Sequence, residues 1–198
     1  MDMDADECFT ECLAQATRVV KQVRADQFAL PTPDTEWTVR DLAGHMLYEL
    51  SWVPDVLEGK TVQEVGDIYD GDLIGSSDIG LTVQWENAAT KAEEAVAHAD
   101  LEATAHLSYG DVTVSEYLLE AGSDQLIHTW DLGQAIGVPV IFDEDIAQTV
   151  YDRVKNKSEA MRLSGLFGPP RDVPADADIQ TKLLALYGRS ADTWRKAS

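Results

Sequence analysis

Apolar residues in this chain return every three or four positions and rarely alternate, which commits most of its length to helices with one buried face. Phe9, Leu13, Ala16, Val20 and Val23 form the first such stripe, and Pro31 and Pro33 then break the chain. A second stripe runs through Val39, Leu42, Ala43, Met46, Leu50, Val53 and Leu57, ending near Gly59. It opens behind Thr38, with Asp41 three residues later in the capping-box place usually held by Glu or Gln. Leu81, Trp85, Ala88, Ala92 and Ala95 or Val96 make a third. The fourth starts on Thr113-Val114-Ser115-Glu116, a full Thr-x-x-Glu capping box. It passes Val114, Tyr117, Leu118, Ala121, Gln125, Leu132 and Ile136 and is stopped by Gly137-Val138-Pro139. A fifth begins at Asp143 or Glu144 and takes in Ile146, Val150, Val154 and Met161, and Asp178 caps a short last helix ending at Tyr187-Gly188.

Between these helices the strand signal is slight. Residues 60–80 hold Gly66, Gly71, Gly75 and Gly80 among acids and serines and read as a long connection, while Ala103 to Ser108 alternates weakly as a short extended piece. Gly168-Pro169-Pro170 and Pro174 imply an extended crossing before the last helix. The expectation is an all-α bundle, and 198 residues at 44% hydrophobic content suit a single domain over 1–198 with one core.

Charge narrows the partners. Fifteen Lys and Arg against 36 Asp and Glu give a formal net charge of −21, which repels phosphate backbones and anionic lipid heads. Neither nucleic acid nor a membrane surface is expected as a partner. The N-terminus lacks a secretory pattern, and no apolar run approaches the ~18 residues of a spanning helix, so the expected location is cytoplasmic. Cys8 and Cys12, four apart on the first helix, read as packed, reduced thiols.

Polar groups that the helical wheel turns inward carry the chemistry. On the fourth helix His128 falls within the apolar stripe and Asp124 at its edge, one turn apart, with Cβ atoms roughly 6 Å from each other. A carboxylate and an imidazole facing a core need a partner, and a divalent cation would satisfy both. His45, on the flank of the second helix's stripe, can complete a two-His, one-carboxylate set that leaves positions open for water and substrate. A hydrogen-bonded Asp124–His128 pair with His45 satisfied at the rim fits the same spacing, and Glu49, one turn past His45, is a rival ligand. His98 and His106 read as surface residues and Trp85 as core packing. Trp37, Trp52 and Trp130 lie near the candidate ligands in sequence, and Trp52 and Trp130 are taken as walls of a cosubstrate pocket. No glycine-rich phosphate loop, Gly-x-Ser-x-Gly elbow, His-Glu-x-x-His pair or paired Glu-x-x-His motif is present, and no catalytic acid or base is assigned.

Three segments resemble the mycothiol-dependent maleylpyruvate isomerase-like proteins, a branch of the DinB-like superfamily. Trp37-Thr38-Val39-Arg40-Asp41-Leu42-Ala43-Gly44-His45 resembles the W-[ST]-V-R-D-L-x-x-H opening of their second helix. Asp124-Gln125-Leu126-Ile127-His128-Thr129-Trp130-Asp131-Leu132 resembles their E-x-x-x-H-x-W-D-L segment. Phe167-Gly168-Pro169, Val173-Pro174 and Leu183-Leu184-Ala185-Leu186-Tyr187-Gly188-Arg189 look like the ending of short actinobacterial-type members. The resemblance implies a DinB-like four-helix bundle with a C-terminal extended crossing and short helix. It also implies a metal ion, zinc with nickel as the alternative, held by His45, Asp124 and His128, and a low-molecular-weight thiol such as mycothiol as cosubstrate. Asp124 stands where the family usually has Glu, one methylene shorter, so the helices must lie closer or a water must intervene. The 198 residues also lack the separate C-terminal domain of the full isomerases, which turns the expectation away from maleylpyruvate isomerisation itself. What is expected is a metal-dependent thiol transferase or isomerase-like enzyme acting on a small molecule, as a monomer or homodimer. The alternative is a non-catalytic metal- or ligand-binding stress or regulatory module.

Overall fold

A computed structural model describes residues 3–34, 36–77, 79–155 and 169–190. Four long helices make the bundle: α1 (Ala5–Val20), α2 (Val39–Leu57), α4 (Gly80–Val96) and α5 (Val114–Ile136), with the one-turn helix α3 (Val62–Val65) between α2 and α4. A hairpin of β1 (Thr104–Leu107) and β2 (Gly110–Thr113) precedes α5, and α6 (Glu144–Val154) and α7 (Ile179–Leu186) follow it. In cross-section α5 lies between α1 and α2, and α4 closes the square opposite it. The expected all-α bundle is what the chain forms.

The α2 box forms as the sequence implies, and at α5 the Thr113 half of the box is in place. Asp41 N–H donates to Thr38 Oγ1 at 3.3 Å while Thr38 N–H donates to the Asp41 carboxylate at 2.9 Å, so the shorter acid still closes the box at the start of α2. Thr113 Oγ1 accepts from Glu116 N–H at the start of α5, and Gly137, at φ 77°, ends that helix in the left-handed region that glycine enters without strain.

Two connections hold more order than expected. In 60–80, Thr61 and Glu64 form a capping box of their own and start α3. The weak extended piece is one arm of a hairpin in which Thr104 faces Thr113 and Leu107 faces Gly110. The extension of the fifth helix to Met161, together with Phe167 and Gly168 of the crossing, lies outside the described residues. Among the described residues no helix is long and apolar enough to cross a membrane.

Helix α5 departs from a one-faced helix. Every residue from Gln125 to Gly133 is buried, which requires neighbours on both sides. On the bundle side Leu118 and Leu132 join Phe9, Leu42, Met46 and Trp85 in the main core. On the far side Leu126, Ile127 and Trp130 pack with Phe142, Ile146 and Leu183 beneath α6 and α7. Cys8 and Cys12, both free and fully buried, belong to this second cluster. The close approach of α1 to α5 depends on Gly122, where a Cβ would stand 3.2 Å from the Phe9 Cα.

Candidate metal site

The capping box at the start of α2 and the α2–α5 contact together aim the site. Gln125 donates its side-chain N–H to the Met46 carbonyl at 2.9 Å, joining α5 to α2 beside both candidate ligands. That clasp brings His45 of α2 against Asp124 and His128 of α5. His45 Nε2 lies 3.3 Å from Asp124 Oδ2, and His128 Nε2 lies 3.4 Å from Asp124 Oδ1. One donor atom from each residue falls within 4.8 Å of the other two. Asp124 therefore reaches both imidazoles directly despite being a methylene shorter than Glu.

The donor set fits a divalent ion. Bonds of about 2.0–2.2 Å in tetrahedral geometry place neighbouring donors roughly 3.3–3.6 Å apart; each imidazole lies at such a distance from one Asp124 oxygen, His45 from Oδ2 and His128 from Oδ1. His128 is buried, whereas the side chains of His45 and Asp124 keep 26% and 23% of their surface exposed, so the cluster opens toward solvent on one side. Glu49, the rival ligand, does not join this cluster. Burial and the Asp124 charge nevertheless raise its carboxyl above the ordinary range, against the lowering effect of the two imidazoles.

His128 is held from both ring nitrogens. Its Nδ1 lies 3.2 Å from Asp131 Oδ2, leaving Nε2 to face Asp124 and His45. Asp131 is fully buried and paired in turn with Arg189, whose Nη2 approaches it at 2.7 Å and also reaches Asp34 at 3.2 Å. Asp34, His128 and Asp131 form a second cluster close enough to hold an ion, but the Arg189 guanidinium already supplies the positive charge between the two carboxylates.

The three tryptophans separate. Trp37 is the one at the site, its ring centroid 4.7 Å from that of His45 and 5.7 Å from that of His128. Trp52 lies two turns further along α2, its ring 6.0 Å from Tyr48 and 5.8 Å from Tyr69, with its Nε1 buried and unpaired. Trp130, expected as a pocket wall, lies about 200° around α5 from His128 and packs in the second core cluster. His98 is exposed, and His106 pairs with Asp111 across the hairpin at 2.8 Å. Sequence reasoning gave no role to Asp34 or Arg189, and named Asp131 only as part of the Asp124–Leu132 segment.

Electrostatics favours Asp124 and His128 as an ion pair. Burial opposes ionisation of Asp124, but the His128 charge and hydrogen bonds from His128 and His45 hold its carboxyl well below the usual range. Burial likewise opposes a charged His128, yet the Asp124 charge and hydrogen bonds to Asp124 and Asp131 push it up to about 10. The Asp124 contribution is present above its unfolded pKa near 3.9 and lost as the pH falls; the His128 contribution is complete below about 6.5 and fades as the pH rises toward 10. In chelator, wild-type stability should therefore fall by up to about 1.4 kcal/mol per pH unit between pH 7 and 9.5. A His128→Gln variant should lack that slope in urea titrations across the same range.

This helical frame and its two motifs decide the family. The sequence matches the mycothiol maleylpyruvate isomerase N-terminal domain family across residues 9–138. The chain belongs to that family. Residues 9–138 take in all four bundle helices apart from the first turn of α1, together with the His45, Asp124 and His128 cluster. Two relatives from Mycobacterium tuberculosis, in strains CDC 1551 / Oshkosh and ATCC 25618 / H37Rv, are each 28% identical over 185 residues, covering 87% of this chain and 90% of theirs. Both are described only as uncharacterized proteins. No solved structure matches the chain.

Proposed function

We propose that this family member binds one divalent metal ion through His45, Asp124 and His128 and is a thiol-dependent transferase or isomerase-like enzyme acting on a small electrophile. The supporting observation is the convergence of two imidazoles and a carboxylate from two helices, with their donor atoms within 4.8 Å of one another and one side open. Zinc suits the nitrogen and oxygen donors, and nickel is the alternative. Held by His45, Asp124 and His128, such an ion would supply Lewis acidity that lowers the pKa of a small thiol of the mycothiol type and so favours its nucleophilic form.

The protein's own part is placement. Asp131 fixes the ring of His128 through Nδ1, as the hydrogen-bonded partners of metal-binding histidines do elsewhere. Trp37 lies against both imidazoles and excludes water from that side. His45, Glu49 and Trp52 follow one another along a single face of α2, which gives an incoming molecule a surface leading to the cluster.

The test is consumption of small thiols with a panel of electrophiles by zinc- or nickel-loaded protein. Expected is turnover that a chelator abolishes and added metal restores. Metal uptake without turnover across the panel would instead indicate a non-catalytic binding module.

A further inference from the structure

We infer that Arg189, in the segment after α7, is a positioning residue for the metal cluster, acting on His128 through Asp131 and on Trp37 through Asp34. The inference rests on the metal-binding function proposed above and extends it to a part of the chain outside the family match at 9–138.

The geometry makes Arg189 a junction. Its Nη2 donates to Asp131 Oδ2 at 2.7 Å, and its Nε lies 3.3 Å from both Asp131 oxygens. A planar guanidinium meeting a carboxylate with two nitrogens fixes the plane of that carboxylate as well as its position. Asp131 Oδ2, so fixed, lies 3.2 Å from His128 Nδ1. A ring held at Nδ1 can turn only one face of its other nitrogen, Nε2, toward Asp124 and His45.

The second arm runs through Asp34. The same Nη2 donates to Asp34 Oδ2 at 3.2 Å, and the Asp34 carbonyl accepts the Trp37 N–H at 3.0 Å and the Thr32 hydroxyl at 2.9 Å. This turn carries the indole that lies against both imidazoles. Arg189 is itself anchored by its Nη1–H to the Tyr187 carbonyl at 3.0 Å, and its backbone N–H donates to the Leu184 carbonyl. Its side chain is only 10% exposed and that of Asp131 is 0% exposed. Docking of α7 and the order of the cluster are thereby one event, and coupling of this kind is reciprocal.

Zinc affinity measured by chelator competition on the full chain tests this, in wild type, Asp131→Asn, Arg189→Met and the double variant. Arg189→Met should weaken zinc binding about 10–100-fold, the range for partners one shell out. The loss in the double variant should fall short of the sum of the two single losses, because one of the two arms of Arg189 runs through Asp131; a purely structural arginine would add its full loss. Arg189→Lys, which keeps the charge and loses the fork, should recover part of the affinity. If Arg189→Met fails to fold, Arg189→Lys and Asp34→Asn carry the same comparison, each expected to weaken zinc with cooperative unfolding retained. Wild-type affinity in the folded arginine variants, or additive losses in the double variant, overturns the inference while leaving metal binding intact. A wild-type chain that takes up no metal removes the proposed function and this inference with it.

Discussion

Purified protein equilibrated with zinc should retain about one equivalent per chain, and His128→Ala should weaken that binding by more than about 100-fold. The floor follows from general experience that outer partners of metal ligands alone are worth 10–100-fold, so a direct ligand must exceed it. His128 has the strongest claim because both of its nitrogens are already committed. Nε2 faces Asp124 at 3.4 Å and Nδ1 faces Asp131 at 3.2 Å. His45→Ala should lose comparable affinity, while Asp124→Glu, which restores the longer acid of the family motif, should keep the metal. Equilibrium dialysis with elemental analysis reads all three. Equal metal content in wild type and His128→Ala would remove the cluster as a binding site, and retention lost in Asp124→Glu would show that the helices are set for the shorter side chain. Cooperative unfolding of each variant, followed by circular dichroism, separates lost ligation from lost fold.

How much of this was legible depended on how far apart the cooperating residues lie. The starts of α2 and α5 and the end of α5 were readable because their signals are local: the side chains of Thr38 and Thr113 cap the two helices, and Gly137 ends α5 by its left-handed backbone. The one-turn helix α3 carried the same Thr-x-x-Glu signal at Thr61 and Glu64, but four nearby glycines outweighed it. The second hairpin strand was hidden because its last residue, Thr113, also caps α5. In the cluster, His45, Asp124 and His128 could be picked by helical phase, since a polar group in an apolar stripe is a local anomaly. Arg189 could not. Its partners Asp131 and Asp34 are 58 and 155 residues away, and no period or spacing links them.

Trp130 shows where nearness in sequence misled, and its replacement should have a large and selective effect. Placing it beside the ligands assumed that an aromatic two residues from His128 shares its pocket. Burial of every residue from Gln125 to Gly133 removes that assumption. The indole is 3% exposed and packed in the cluster that joins α5 to α6 and α7. Trp130→Ala should therefore cost about 3–5 kcal/mol, the range for deleting a buried aromatic where the surroundings collapse only in part. Urea unfolding would read that loss as an earlier midpoint at similar slope. Zinc affinity, measured below the unfolding transition, should fall far less than in His128→Ala, because Trp130 lies about 200° around α5 from His128 and reaches the metal cluster only through the docking of α7 that holds Arg189. Trp37→Leu should give the reverse: a smaller stability loss and a clear change in zinc affinity, since its ring lies 4.7 Å from that of His45. A Trp130→Ala protein that stayed stable but lost its zinc would return this side chain to the pocket and place the second cluster, not the bundle interior, against the metal.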